Sequence, residues 1–152
     1  MQKITPFLWF DGNAEEAMEF YASIFKESKI ISKNRLGEGQ PLFLGSFKIE
    51  NQEFMVLNGG PHFTFSPAIS FFVNCNSQKE VDKLWEQLSA GGTKERCGWL
   101  KDKFGISWQI IPTALGKLMN DKDPEKVNRV RNAMLQMTKI EIVELQKAYE
   151  GL

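Results

Sequence analysis

The chain has 152 residues, 42% of them hydrophobic and 25% charged, the ordinary composition of one globular domain around one core. Nineteen basic residues balance nineteen acidic ones, so no global field draws nucleic acid or an anionic membrane to it. No apolar stretch approaches the roughly 18 residues that cross a bilayer, Met1 to Phe10 does not read as an export signal, and Cys75 and Cys97 form no CxxC pair, so reduced thiols in a cytoplasmic protein are expected.

Phe7 to Phe10 is a short apolar run that turns at Asp11-Gly12-Asn13. Asn13 with Glu16 makes a capping box, after which Ala17, Phe20, Tyr21 and Ile24 fall at helical spacing on one face. Strand patterns follow at Lys29 to Leu36, Leu42 to Ile49 and Phe54 to Asn58, with turns at Gly37-Glu38-Gly39 and Asn51-Gln52 between them. The order recurs 64 positions on, where Glu16 becomes Glu80 and Tyr21 becomes Trp85. Phe71-Phe72-Val73 is the strand, Asn74-Cys75-Asn76 the turn, Ser77 with Glu80 the capping box, and Val81, Leu84, Trp85 and Leu88 the buried helix face, ended by Gly91-Gly92. Thr93 to Lys101 and Ile106 to Ile111 then read as strands around a turn at Asp102 to Gly105.

The expected architecture is therefore one α+β domain over residues 1–152. It comprises a βαβββ module of about 1–60, a second of about 66–112 in which one strand fewer is legible, and a helical tail of about 113–152. The paired modules are expected to enclose a cavity of small-molecule size. In the tail, Asp123-Pro124 is an N-cap followed by proline at the first helical position, and Val127, Val130, Met134 and Met137 form one stripe. Thr138 and Glu141 read as the opening of a last capped helix that carries Ile142, Leu145 and Tyr149. That stripe needs cover, from the chain's own sheet or from a dimer mate.

Common catalytic signatures are missing: there is no GxGxxG after a strand, no phosphate-binding loop, no GxSxG and no HExxH, and His62 is the single histidine. A Rossmann methyltransferase or dehydrogenase is disfavoured on those grounds. What stands out is an aromatic and polar set. Asn58-Gly59-Gly60-Pro61-His62-Phe63-Thr64-Phe65 joins the two modules as either a binding loop or a plain connector, and His62 in it is a candidate acid or base or simply a hydrogen-bonded loop residue. Downstream lie Cys97-Gly98-Trp99-Leu100-Lys101-Asp102 and then Trp108-Gln109. Alternation puts Trp99 and Lys101 on one strand face and separates Trp108 from Gln109, so only one of that last pair can look into a cavity. An inward carboxamide calls for a polar ligand or water; the bland alternative is core tryptophans and a solvated Lys101-Asp102 turn. Trp9 and Phe71, on the repeat-equivalent strands, complete an aromatic lining. The candidate set is His62 and Asp102 for catalysis, with Trp9, Asn58, Gly60, Phe63, Phe71, Trp99, Trp108 and Gln109 for ligand contact.

The order ITPFLWFDGNAEEAMEFY, NGGPHF, AISFFVNC and CGWLKDKFGISWQIIP strongly resembles the PhnB-like, 3-demethylubiquinone 3-methyltransferase-like branch of the vicinal oxygen chelate superfamily, over about Ile4 to Pro112, and the helical tail is similar to that branch as well. Glyoxalase I, extradiol dioxygenases and bleomycin-resistance proteins belong to the same superfamily. The resemblance implies paired βαβββ modules, a cup that often holds a divalent metal, and homodimers that frequently share or swap modules. The positions that resemble the metal ligands carry Pro6, the Ala68-Ile69-Ser70 stretch, Asn58 and Gln109, which are poor donors beside carboxylates and imidazoles. No tightly held metal and no other cofactor is expected, and a divalent metal is disfavoured. The branch's label implies methyl transfer, yet no nucleotide-binding motif is present for S-adenosylmethionine. Three functions are consistent with this: a metal-independent binder of a small aromatic or amphipathic compound; an enzyme, either an isomerase or lyase using His62 or Asp102 or the methyltransferase of the label; and a structural dimer with a filled cavity.

Overall fold

The first strand, β1 (Phe7–Phe10), buries Leu8 and Phe10 and leaves Phe7 and Trp9 toward the other side, the period of two that a half-covered sheet requires. The structure is a computed structural model that describes residues 2–152. Helix α1 (Ala14–Ile24) follows and buries Ala14, Ala17, Met18, Tyr21 and Ile24. Strands β2 (Ser28–Arg35), β3 (Leu42–Ile49) and β4 (Gln52–Asn58) complete a sheet of order β1-β4-β3-β2, in which only β1 and β4 run parallel. Under α1, Tyr21 stacks on Phe47 at 5.9 Å and Phe47 on Phe54 at 5.1 Å, which packs the helix face to the sheet. Lys33 and Arg35 on the edge strand both reach Glu15 at 2.8 Å, and these cations hold the Glu15 carboxyl below its usual range.

The expected capping box on α1 is not formed. Asn13 makes no side-chain capping bond; the Oδ1 of Asn58, at the end of β4, accepts the Ala14 N–H at 3.0 Å instead.

The second unit repeats the plan. Strand β5 (Ser70–Cys75), helix α2 (Gln78–Ser89), and strands β6 (Thr93–Lys94), β7 (Trp99–Lys101) and β8 (Ser107–Pro112) form a sheet of order β5-β8-β7-β6, again with one parallel pair, β5 and β8. Here the Ser77 cap is made: Ser77 Oγ accepts the Glu80 N–H at 3.1 Å, while the Glu80 carboxylate reaches back one residue past the cap to accept the Asn76 N–H at 2.9 Å. The strand expected over Thr93 to Lys101 is split in two, so the second unit has four strands like the first. A turn at Cys97 (φ +58°) and Gly98 (φ +81°) breaks it, because their N–H groups donate to the tail carbonyls of Met137 (2.9 Å) and Thr138 (2.8 Å) rather than to a neighbouring strand.

The tail forms α3 (Thr113–Met119), α4 (Pro124–Leu135) and α5 (Ile142–Glu150). Asp123 caps α4 by accepting the Glu125 N–H at 2.9 Å. Val130, Ile140 and Leu145 are buried together with Ile111 at the end of β8 and Leu115 of α3, so the tail covers its stripe within its own unit. The cap expected from Thr138 and Glu141 is supplied by Gln78 of α2, whose Oε1 accepts the Ile142 N–H at 2.8 Å while its Nε2 donates to the Ile140 carbonyl at 3.0 Å. By internal packing the chain divides into two compact units, one ending at Thr64 and one starting at Phe65. Among the described residues, no helix is long and apolar enough to cross a membrane.

Candidate functional site

In the first unit, Trp9 organises the loop that follows β4. Its indole N–H donates to the Gly60 carbonyl at 2.9 Å, and its ring meets Phe63 edge-on at 5.0 Å. A Cβ on Gly59 would lie 2.3 Å from Trp9 Cζ2, so the indole itself demands glycine there. Gly60 adopts φ +90°, and the turn presents His62 and Phe63 to solvent. Trp9 pairs in register with Leu57, and Phe7 with Met55, on the sheet face away from α1. Asn58 belongs to the opposite face: besides Ala14 it donates to the Leu42 carbonyl at 2.8 Å, which commits both ends of its carboxamide to the fold.

In the second unit, three of the residues singled out from sequence lie together on the face covered by α2. Asp102 is 2% exposed; its Oδ1 accepts the N–H groups of Phe104 (2.9 Å) and Ile106 (3.0 Å), and its Oδ2 accepts the Trp108 indole N–H at 2.9 Å. Trp108 is 3% exposed and meets the Phe71 ring edge-on at 5.1 Å. These contacts make Asp102 a turn-closing carboxylate that holds the Trp108 indole, with Phe71 packed on Trp108. Phe71 lands there for a definite reason. Three residues separate β1 from α1 but only two separate β5 from α2, and a slip of one residue sends a strand's side chains to the other face.

The other face of this sheet carries two cross-strand rows. One is Ser70, Ser107 and Lys101; the next is Phe72, Gln109 and Trp99. Residues opposed across a ladder share a face, so the alternation that buries Trp108 turns Gln109 and Ser107 this way. Gln109 Nε2 donates to Ser70 Oγ at 2.9 Å. Ser107 is 1% exposed, and its hydroxyl is buried with no hydrogen-bond partner. Lys101 enters no salt bridge among the described residues. Phe72 is exposed and Trp99 half-buried, one on each side of Gln109. Trp99 and Gln109 are legible from sequence; Ser107, Phe72 and the place of Lys101 in the row are not. Ser107 stands two residues before Gln109 and so on its face, which is the only sequence signal for it.

The donors present do not fit a divalent ion. Asn58 is committed to Ala14 and Leu42, Ser70 already accepts from Gln109, and no group of three or more His, Cys, Asp or Glu side chains that could hold a metal occurs among the described residues. At the start of α1 the Ala14 N–H is already taken by the Asn58 side chain. Both cysteines are free; burial pushes the Cys75 thiol up to about 12, which leaves it inert.

Residues 2–111 match the family described as 3-demethylubiquinone-9 3-methyltransferase. The PhnB protein from Bacillus cereus is 38% identical, with a TM-score of 0.69, over 73% of this chain and 99% of its own. Two further solved structures share the fold: protein PA1353 from Pseudomonas aeruginosa (18% identity, TM-score 0.62, 74% of this chain and 98% of that one) and a glyoxalase-related enzyme from Fulvimarina pelagi (14%, 0.50, 74% and 88%). No curated protein matches the chain. With its two successive βαβββ units, this chain belongs to the family described as 3-demethylubiquinone-9 3-methyltransferase, and the PhnB protein is its relative.

Proposed function

We propose that this protein binds a small organic molecule without a metal, on the face of the second sheet away from α2. The observation that carries the reading is the Ser107 hydroxyl, buried without a partner at a position that lies opposite Lys101 in the ladder and two residues before Gln109 on the same strand. A buried hydroxyl left unpaired costs about 1–3 kcal/mol, and a ligand atom that supplies the missing bond recovers that cost. Trp99 and Phe72 give the apolar body of such a ligand two aromatic surfaces, while Gln109, tethered to Ser70, holds one polar contact in place. Few polar groups and adjacent aromatics suit recognition of a compact amphipathic compound.

A homodimer and a reducing, cytoplasmic setting form part of the same proposal; the first rests on the family resemblance and the second on the two free cysteines. Light scattering on the purified chain reads the first directly.

The reading is tested on protein stripped of metal with a chelator, by tryptophan fluorescence against a panel of small aromatic and aliphatic compounds that includes S-adenosylmethionine. A saturable response in the absence of metal is expected, and Gln109→Ala is expected to weaken it. A response that returns only on adding a divalent ion overturns metal independence. A rise in melting temperature with S-adenosylmethionine alone favours the methyl transfer of the family's label instead.

A further inference from the structure

We infer that the row Ser70, Ser107 and Lys101 receives a carboxylate, so that the ligand is an aromatic monocarboxylic acid; this rests on the binding reading above. Lys101 lies directly opposite Ser107 in the antiparallel β7–β8 pair, and Ser70 lies opposite Ser107 in the parallel β5–β8 pair. Side chains so opposed stand about 5 Å apart at Cβ, within reach of one small group. Each of the three carries a donor. The Ser70 oxygen already accepts from Gln109, which leaves its O–H to give; the Ser107 hydroxyl has no partner; the Lys101 ammonium is in no salt bridge among the described residues.

Three donors in one row, with no acidic side chain in either row, lack an acceptor of negative charge. A carboxylate supplies two oxygens with about four lone-pair positions between them. One ammonium balances one negative charge, whereas a dianion such as phosphate would bring a second, uncompensated charge against a buried hydroxyl. The size of the rest of the ligand follows from the strand repeat. The neighbouring row lies two residues along the same strands, about 6.6 Å away, and presents Phe72 and Trp99 on either side of Gln109. A ring joined to the carboxylate by a short aliphatic link spans that distance and lies against the aromatic pair.

The test is calorimetric titration of metal-stripped protein with 3-phenylpropanoate and with its neutral isostere 3-phenylpropanamide. The acid is expected to bind at least about ten-fold more tightly than the amide, since charge-assisted hydrogen bonds are the stronger kind. Lys101→Met is expected to abolish that preference. Ser107→Ala is expected to weaken the acid several-fold while leaving the melting temperature unchanged or higher, because the hydroxyl it removes is unpaired in the free protein. Equal affinity for acid and amide, or a preference that survives Lys101→Met, overturns the carboxylate assignment and leaves the binding reading standing. Failure of both compounds and of the whole neutral panel overturns the binding reading itself.

Discussion

The side-chain oxygen of Asn58 accepts the backbone N–H of Ala14 at 3.0 Å while its amide donates to the Leu42 carbonyl at 2.8 Å, so one residue at the end of β4 caps α1 and braces the start of β3. Asn58→Ala removes both bonds and is expected to destabilise the protein by roughly 1–3 kcal/mol. Asn58→Asp keeps the acceptor and costs less. Asn13→Ala, which deletes no capping bond, is expected to be nearly neutral. Urea unfolding of the three variants checks this order; equal loss in Asn13→Ala and Asn58→Ala would contradict it.

Asp102 accepts two backbone N–H groups and the Trp108 indole while almost wholly buried. Asp102→Ala strands these donors and is expected to cost roughly 3 kcal/mol or more, with a change in the near-ultraviolet signal of Trp108. Asp102→Asn, which keeps an acceptor oxygen, costs less. A stable Asp102→Ala protein with an unchanged tryptophan environment would refute the structural role.

Gly98 is where the tail meets the second sheet. At φ +81° it sits where side chains are rare, and an added Cβ would lie 2.8 Å from Ile111 Cδ1 and 3.0 Å from Ile140 Cγ1. Gly98→Ala is therefore expected to destabilise by more than about 1 kcal/mol and to raise amide exchange in α4 and α5 before it does so in β3 and β4. Exchange that rises uniformly along the chain would count against this local coupling.

Tyr149 donates its hydroxyl to Asp121 at 2.7 Å and ties α5 to the link between α3 and α4. The Asp123 backbone N–H and then this hydroxyl hold the Asp121 carboxyl below its usual range. Its contribution is present above the ordinary aspartate value, about 4, and is lost as pH falls through the lowered folded value. The same bond pushes the Tyr149 phenol up, so that contribution is full below about 10 and lost as pH rises through the raised value. Tail stability is expected to fall at both extremes. Thermal melts of Asp121→Asn should show a weaker acid limb than the parent; an identical limb would refute the assignment.

Local pattern carried much of this fold. The apolar run Phe7–Phe10 and the strand pattern Leu42–Ile49 mark β1 and β3 at their observed ends, and Ser77 with Glu80 and Asp123-Pro124 mark helix starts, because each signal lies within a few residues. The caps from Asn58 to Ala14 and from Gln78 to Ile142 span 44 and 64 residues, so nothing near either helix announces them. The turn at Cys97 and Gly98 exists because the tail takes their N–H groups, a tertiary cause. In the site, Trp99 and Gln109 stand out by residue type and alternation. Ser107 does not, since a serine entering a strand is ordinary and only its burial without a partner distinguishes it.

The most direct measurement of metal-independent binding is a two-dimensional NMR titration of ¹⁵N-labelled protein with 3-phenylpropanoate in the presence of a chelator. The account predicts saturable shifts of the Trp99 indole N–H and the Gln109 side-chain amide, with the indoles of Trp85, on the buried face of α2, and of Trp108, in the core, unmoved. Shifts that appear only after a divalent metal is added, or a ligand response that leaves Trp99 and Gln109 in place, would contradict it.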